Sequence, residues 1–245
     1  MTRTLVLLLL GTTVFMRCQL QAALLVYEPF DYPPGTPLLE QTNGLGFTSP
    51  WIPGGFNASI HDVFRIKSGA MKYPGLATKG TNHANAEAVA GPGIAGLSRI
   101  LSTNLATPGA TYYVSFLHRP DASEEYSSMV IGTGETLELS IGKSGSVNKY
   151  HVSQRGGVNR VLSDLEPTVG KIAFLVVKLE MTDGPDRFTL FVNPVPGKPE
   201  PENGFVKEDL DLEFADRVSL YSRGAWSVDE IRIGTTWADV TPASR

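Results

Sequence analysis

The residues best suited to chemistry in this 245-residue chain are its acids. Asp209-Leu210-Asp211-Leu212-Glu213 alternates three carboxylates. Residues i and i+2 of a β-strand share a face and lie about 6.5–7 Å apart. Cleavage of a glycosidic bond uses two carboxyl groups roughly 5–10 Å apart. The spacing fits, but the setting does not. The run lacks strong strand formers and follows Asn203-Gly204, so it reads as an acidic edge strand or loop. Glu28-Pro29-Phe30-Asp31 has the wrong spacing for a pair on one strand face.

Asp229 poses a structural question. Along Val228 to Gly234, strict alternation puts Asp229, Ile231 and Ile233 on one face, with the acid starting on the core side. A buried carboxylate must be hydrogen-bonded or paired. Asp229 therefore reads as an acid bonded to nearby backbone N–H groups, with a calcium ligand as the alternative. No Asp-rich loop accompanies it, so no metal is assigned and no cofactor is expected. Glu230 and Arg232 fall on the opposite face as a surface pair.

The histidines are His61, His83, His118 and His151, none with the close paired spacing of a zinc helix. His151 reads as a solvated side chain. Gly91-Pro92-Gly93 and Gly156-Gly157 are turn glycines, because neither opens a helix that could cradle phosphate. No nucleophile-elbow pattern is present. Aromatics offer another chemistry, because sugar rings stack their C–H faces on Trp and Tyr. Trp51, Trp226, Trp237, Tyr126 and Tyr221 lie in or near loops and strand ends. Trp237 reads as a plug over a sheet, whereas Trp51 is kept as a candidate contact.

The elements that must position these groups are strands. Period-2 alternation recurs between Gly, Pro and Asn breaks. Thr111–His118 is one strand. Thr136–Gly142 alternates, with Leu137, Leu139 and Ile141 facing a core and Glu138 and Ser140 facing out. Lys149–Ser153 alternates too, with Lys149, His151 and Ser153 outward. Ile172–Met181 and Arg187–Asn193 flank Asp183-Gly184 as a hairpin. Leu24–Phe30, Val63–Ile66, Ala70–Tyr73, Leu97–Leu101, Asp216–Tyr221 and Val228–Gly234 complete the set, and Ala84–Ala90 reads as a short helix or loop. Prolines at 194, 196, 199 and 201 rule out a central strand there. So many short strands imply two antiparallel sheets packed as a jelly-roll sandwich. No repeat or second composition interrupts residues 23–245, which read as one domain.

Residues 1–22 read as a signal peptide: Arg3 is the positive start, Leu5–Leu10 the apolar run, and Ala22-Ala23 the small-residue cleavage site. The apolar run is well short of the ~20 residues that span a bilayer. Cleavage would remove Cys18, the single cysteine, leaving no thiol for a disulfide or a metal. The expected location is secreted, periplasmic or extracellular, with no membrane span in the mature chain. A net charge of −4 without a basic cluster argues against nucleic acid and anionic membrane.

Four blocks together carry a family likeness: Leu25-Val26-Tyr27-Glu28-Pro29-Phe30-Asp31-Tyr32, Tyr112–Leu117, Phe191-Val192-Asn193-Pro194 with its proline-rich run, and Asp229–Trp237. In order and spacing the chain resembles concanavalin A-like (laminin G-like, LamG) jelly-roll domains of secreted bacterial proteins. The resemblance implies one concave and one convex sheet, and binding of a polysaccharide or surface glycan, sometimes with calcium. Laminarinase-like enzymes of this sandwich carry Glu-x-Asp-x-x-Glu on one strand, and no such run occurs here. The expectation is therefore a non-catalytic carbohydrate-binding protein. A structural or adhesive envelope protein is the second reading and a polysaccharide-cleaving enzyme the third. No catalytic residue is assigned. The expected ligand contacts are Glu138, Ser140, Lys149 and His151 by outward alternation, with Trp51.

Overall fold

The computed structural model describes residues 23–55, 58–89, 93–122, 125–135 and 137–244. The leader read at residues 1–22, Gly91-Pro92 and Ala90 lie outside the described residues. The strands in chain order are β1 (Leu24–Glu28), β2 (Ile52–Pro53), β3 (Phe64–Ser68), β4 (Asn82–Ala86), β5 (Ala95–Ile100), β6 (Thr111–Pro120), β7 (Ser127–Gly132) and β8 (Leu139–Lys143). They continue as β9 (Tyr150–Gln154), β10 (Val158–Leu162), β11 (Ala173–Glu180), β12 (Asp186–Val192), β13 (Phe205–Leu210), β14 (Arg217–Ser222) and β15 (Trp226–Gly234). One helical turn, α1 (Trp237–Val240), follows.

The strands form two antiparallel sheets, and the chain is a jelly-roll β-sandwich. The first sheet runs β13-β12-β11-β6-β15-β4-β3, with β1 also paired to β15. The second runs β10-β9-β8-β7-β14-β5-β2. Val114, Phe116, Leu175, Val177, Ile231 and Ile233 of the first sheet meet Met129, Ile131, Ile141, Val152, Val218 and Leu220 of the second in one core. This is the period-2 pattern turned into packing: alternate side chains enter the core and their neighbours face away. Burying each such aliphatic side chain stabilises the fold by about 1.5–3 kcal/mol relative to exposure.

The outer faces of the two sheets differ. On the first, Tyr113, Leu117, Phe174, Val176 and Phe191 are covered by Trp237 and Val240 of α1 and by Met71 and Leu76. Trp237 is the plug that its position after the last strand predicts. Thr236 and Asp239 bond each other's backbone N–H in a capping box that fixes this short turn. On the second sheet, among the described residues, no such apolar cluster covers the outer face, and that face carries a cleft.

A bulge in β15 corrects the reading of Asp229. Pairing with β6 shifts between Asp229 and Arg232, and Glu230 sits at φ 56°. Val228 stays on the core side before the bulge, and Ile231 and Ile233 stay on it after. Asp229 therefore faces away from Ile231, where it accepts from Met71 N (2.9 Å) and Glu230 N (2.8 Å). Both of its oxygens are engaged by backbone N–H groups. Glu230 and Arg232 do pair, but as buried residues rather than as a surface pair. Glu230 also accepts from Tyr27 OH and Lys79 N. Two other expectations change: Ala84–Ala86 belong to β4, and Ala70–Tyr73 form no strand. The acidic run begins in β13, an edge strand, as its composition suggests.

Candidate functional site

The cleft on the outer face of the second sheet has a volume of about 460 Å³. Its floor is made by Val130, Ser140, Ser128, His151 and Tyr221, which belong to two cross-strand rows of that outer face. One row across the strands is Ser153, Ser140, Val130, Ser219 and Ser98. The next row is His151, Gly142, Ser128, Tyr221 and Gly96. Most of these residues are small or hydroxylated, so the floor is low and polar where a usual outer face has long charged side chains. Gly142 is required here: its φ is +155°, and a Cβ would collide with the Ser127 carbonyl.

The walls come from the connections. Glu125 and Tyr126 enter before β7, and Ser144, Gly145 and Ser146 follow β8. Arg155, Gly156 and Gly157 form the 3-10 turn after β9, and Arg160 lies on β10. Arg155 pairs with Glu138 and lies over the Tyr221 ring at 3.9 Å. Glu138 also accepts from Gly134 N at 2.7 Å, so it is satisfied from two directions. Arg160 donates to Ser146 Oγ at 2.7 Å.

The polar inventory suits a ligand rich in hydroxyl groups. His151 Nε2 lies 3.4 Å from Ser140 Oγ. Ser128 and Tyr221 add two more hydroxyls to the lining. Burial, reinforced by Arg160, pushes the His151 imidazole down to about 3, so it is neutral at pH 7. A neutral imidazole donates from one nitrogen and accepts at the other. Burial pushes the Tyr126 hydroxyl up to about 12 and that of Tyr221 upward, so both rings keep their protons.

The structure sorts the residues singled out by sequence. Ser140 and His151 line the cleft, but His151 is buried rather than solvated. Glu138 is fully buried beneath Arg155 and acts on the cleft through that arginine. Leu137 does not face the core: β8 begins only at Leu139, and Leu137 is exposed. Lys149 precedes β9 and escapes its alternation. Its Nζ donates to the Asp164 carbonyl at 2.7 Å and lies 3.5 Å from Glu166, away from the cleft. Trp51 offers no surface to a ligand. Its ring is fully buried, stacked on Phe30 at 6.0 Å, and its Nε1 donates to Glu28 at 3.1 Å. Glu28 in turn meets Arg99, Tyr32 OH and Phe30 N. Sequence reasoning missed Arg155 and Arg160, which sit in and after a Gly-Gly turn with no periodicity. Among the described residues, no group of three or more His, Cys, Asp or Glu is placed to hold a metal ion. Among them, no helix is long and apolar enough to cross a membrane.

No protein-family model and no curated protein matches the chain. Solved structures do match it in fold. The globular domain of calreticulin from T. cruzi is 13% identical, covers 89% of this chain and 90% of its own, and superposes with a TM-score of 0.51. Domain 4 of AbnA, an extracellular arabinanase from Geobacillus stearothermophilus determined with arabinotriose, is 15% identical over 90% of this chain and 97% of its own, at 0.49. An endo-1,3-β-glucanase from Streptomyces sioyaensis is 9% identical over 87% and 96%, at 0.49. Others are titled as glycoside hydrolases and a lyase. These identities speak to the sandwich alone. They nevertheless correct the expectation of a non-catalytic protein. That expectation rested on one absent acid motif, and the structures that match the chain in fold include glycoside hydrolases and a lyase.

Proposed function

We propose that the cleft on the second sheet holds a carbohydrate chain and that this is the protein's working site. The observation that carries the reading is the pair of cross-strand rows. Five strands present serines, glycines and a histidine where an ordinary outer face carries long solvated side chains. Tyr126 and Tyr221 border this floor, and the hydroxyls of Ser128 and Ser140 and the imidazole of His151 line it. Low polar floors with aromatic borders match sugars, whose rings offer C–H faces for stacking and hydroxyls for bonding. The sandwich architecture shared with proteins titled as acting on glucans and arabinan supports the same reading. So does the resemblance of the four sequence blocks, in their order, to LamG domains. The leader pattern at residues 1–22 supports a secreted protein meeting polysaccharide or surface glycan outside the cell.

The test is titration of the protein from Ala23 onward against a panel of polysaccharides, with calcium and then with chelator. Products are analysed for new chain ends. Saturable binding that Tyr126→Ala weakens about tenfold is the expected result, in line with stacking worth roughly 1–2 kcal/mol. Folded protein that binds no polysaccharide in either condition contradicts the proposal.

A further inference from the structure

The charges of the cleft narrow the ligand class, on the reading just given that it holds a saccharide. Three charged side chains line it: Glu125, Arg155 and Arg160. Arg155 is matched by Glu138. Glu125 lies at the exposed rim, 3.8 Å from Arg223. Arg160 differs. Among the described residues no carboxylate lies within ion-pairing distance of it, and its one side-chain bond is Nη1 to Ser146 Oγ. Its Nε is buried and has no acceptor. A guanidinium with an idle Nε edge is a fork shaped for a carboxylate, which it grips with two parallel N–H bonds.

We infer that the cleft selects a saccharide bearing carboxylate groups, and that Arg160 is the residue that takes the carboxylate. The chain as a whole is acidic, with a net charge of −4, so an unmatched cation in its cleft is a local departure from its surface. The neighbouring histidine adds no charge, which leaves Arg160 as the positive partner. Ser140, His151 and Tyr221, which line the same cleft, then serve the hydroxyls of that sugar. Gly157 makes room for this arrangement. Its φ is +79°, and a Cβ there would collide with the Arg160 guanidinium.

The experiment is calorimetric titration of a set of uronate oligosaccharides, each beside its carboxyl-reduced neutral counterpart of equal length and linkage, with a sulfated oligosaccharide as a third arm. The expected result is that a uronate oligomer binds at least about tenfold more tightly than its reduced form, as a charge-assisted pair requires. Raised salt should narrow the gap. Arg160→Gln should remove the preference, so that the uronate oligomer and its reduced form bind the variant equally, and Gly157→Ala should reduce the preference by displacing the same guanidinium. Circular dichroism confirms that both variants fold. Equal affinity for the two forms, a preference that survives Arg160→Gln, or tighter binding of the sulfated sugar each overturns the inference and leaves the saccharide reading standing. Failure of every sugar, acidic and neutral, to bind folded protein removes that reading as well.

Discussion

The Arg155 guanidinium lies 3.9 Å from the centre of the Tyr221 ring while it is ion-paired to the fully buried Glu138. A residue of the 3-10 turn is thus tied to the residue just before β8 and to an aromatic of β14, and the cleft wall is held in place before any ligand arrives.

That tie sets a first expectation. Glu138→Ala leaves Arg155 without its carboxylate in a poorly solvated place and frees the Gly134 N–H. Loss of one partner of a buried pair typically costs about 3–5 kcal/mol. Urea unfolding should show a loss near the lower figure, because Arg155 keeps some exposure. A change below about 0.5 kcal/mol would show that the pair contributes little.

Much of this architecture is legible in the residues themselves. The hairpin of β11 and β12 follows from two β-branched runs around Asp183-Gly184, and Ser140 and His151 follow from outward alternation. Lys149 was misplaced because alternation does not mark where a strand begins, and β9 starts one residue later. Trp51 was misplaced because an aromatic suits a core and a sugar equally. What decides is Glu28, whose partner Arg99 lies 71 residues away in sequence. Strict alternation also fails through the bulge at Glu230, since one inserted residue reverses the faces on either side. Arg155 and Arg160 lie beside Gly156-Gly157, where no period exists to read.

Trp51 and Tyr126 should separate packing from binding. Trp51→Phe removes the Nε1 donor to Glu28 and should lower stability by about 1–3 kcal/mol, with saccharide affinity unchanged. Tyr126→Ala should show the opposite pattern. Thermal unfolding and calorimetry on both variants check it, and a Trp51 variant that folds but loses affinity would contradict the placement.

His118 predicts an acid-side loss of stability. It is fully buried between the sheets, with Nε2 2.9 Å from Ser127 Oγ. Burial, then the nearby Lys143, pushes its imidazole down to about 3. The unfolded value is about 6.5. Between the two, the unfolded chain binds a proton that the native state refuses. Stability from this site is therefore complete above pH 6.5 and falls as pH drops toward 3, by about 1.4 kcal/mol per unit at mid-range. Asp229, which burial pushes well above the usual carboxylate range, works in the opposite sense over the acid range. Comparison with His118→Gln isolates the histidine: the variant should lose less stability between pH 6 and pH 4.5. Parallel profiles would refute the assignment.

Gly142 should not tolerate a side chain. Gly142→Ala places a Cβ against the Ser127 carbonyl in a conformation that L residues rarely adopt. The backbone strain alone costs about 1–3 kcal/mol. Denaturant unfolding should show at least that loss, whereas Gly156→Ala, with open space around it, should lose less.

The central claim is the place where a saccharide sits, and hydrogen exchange read by mass spectrometry tests it most directly. With the tightest-binding oligosaccharide at saturation, peptides covering residues 126–130, 139–146 and 150–160 should gain protection, and peptides from β11 and β12 should not change. Protection confined to β11–β13, or none within those three stretches, would contradict the account.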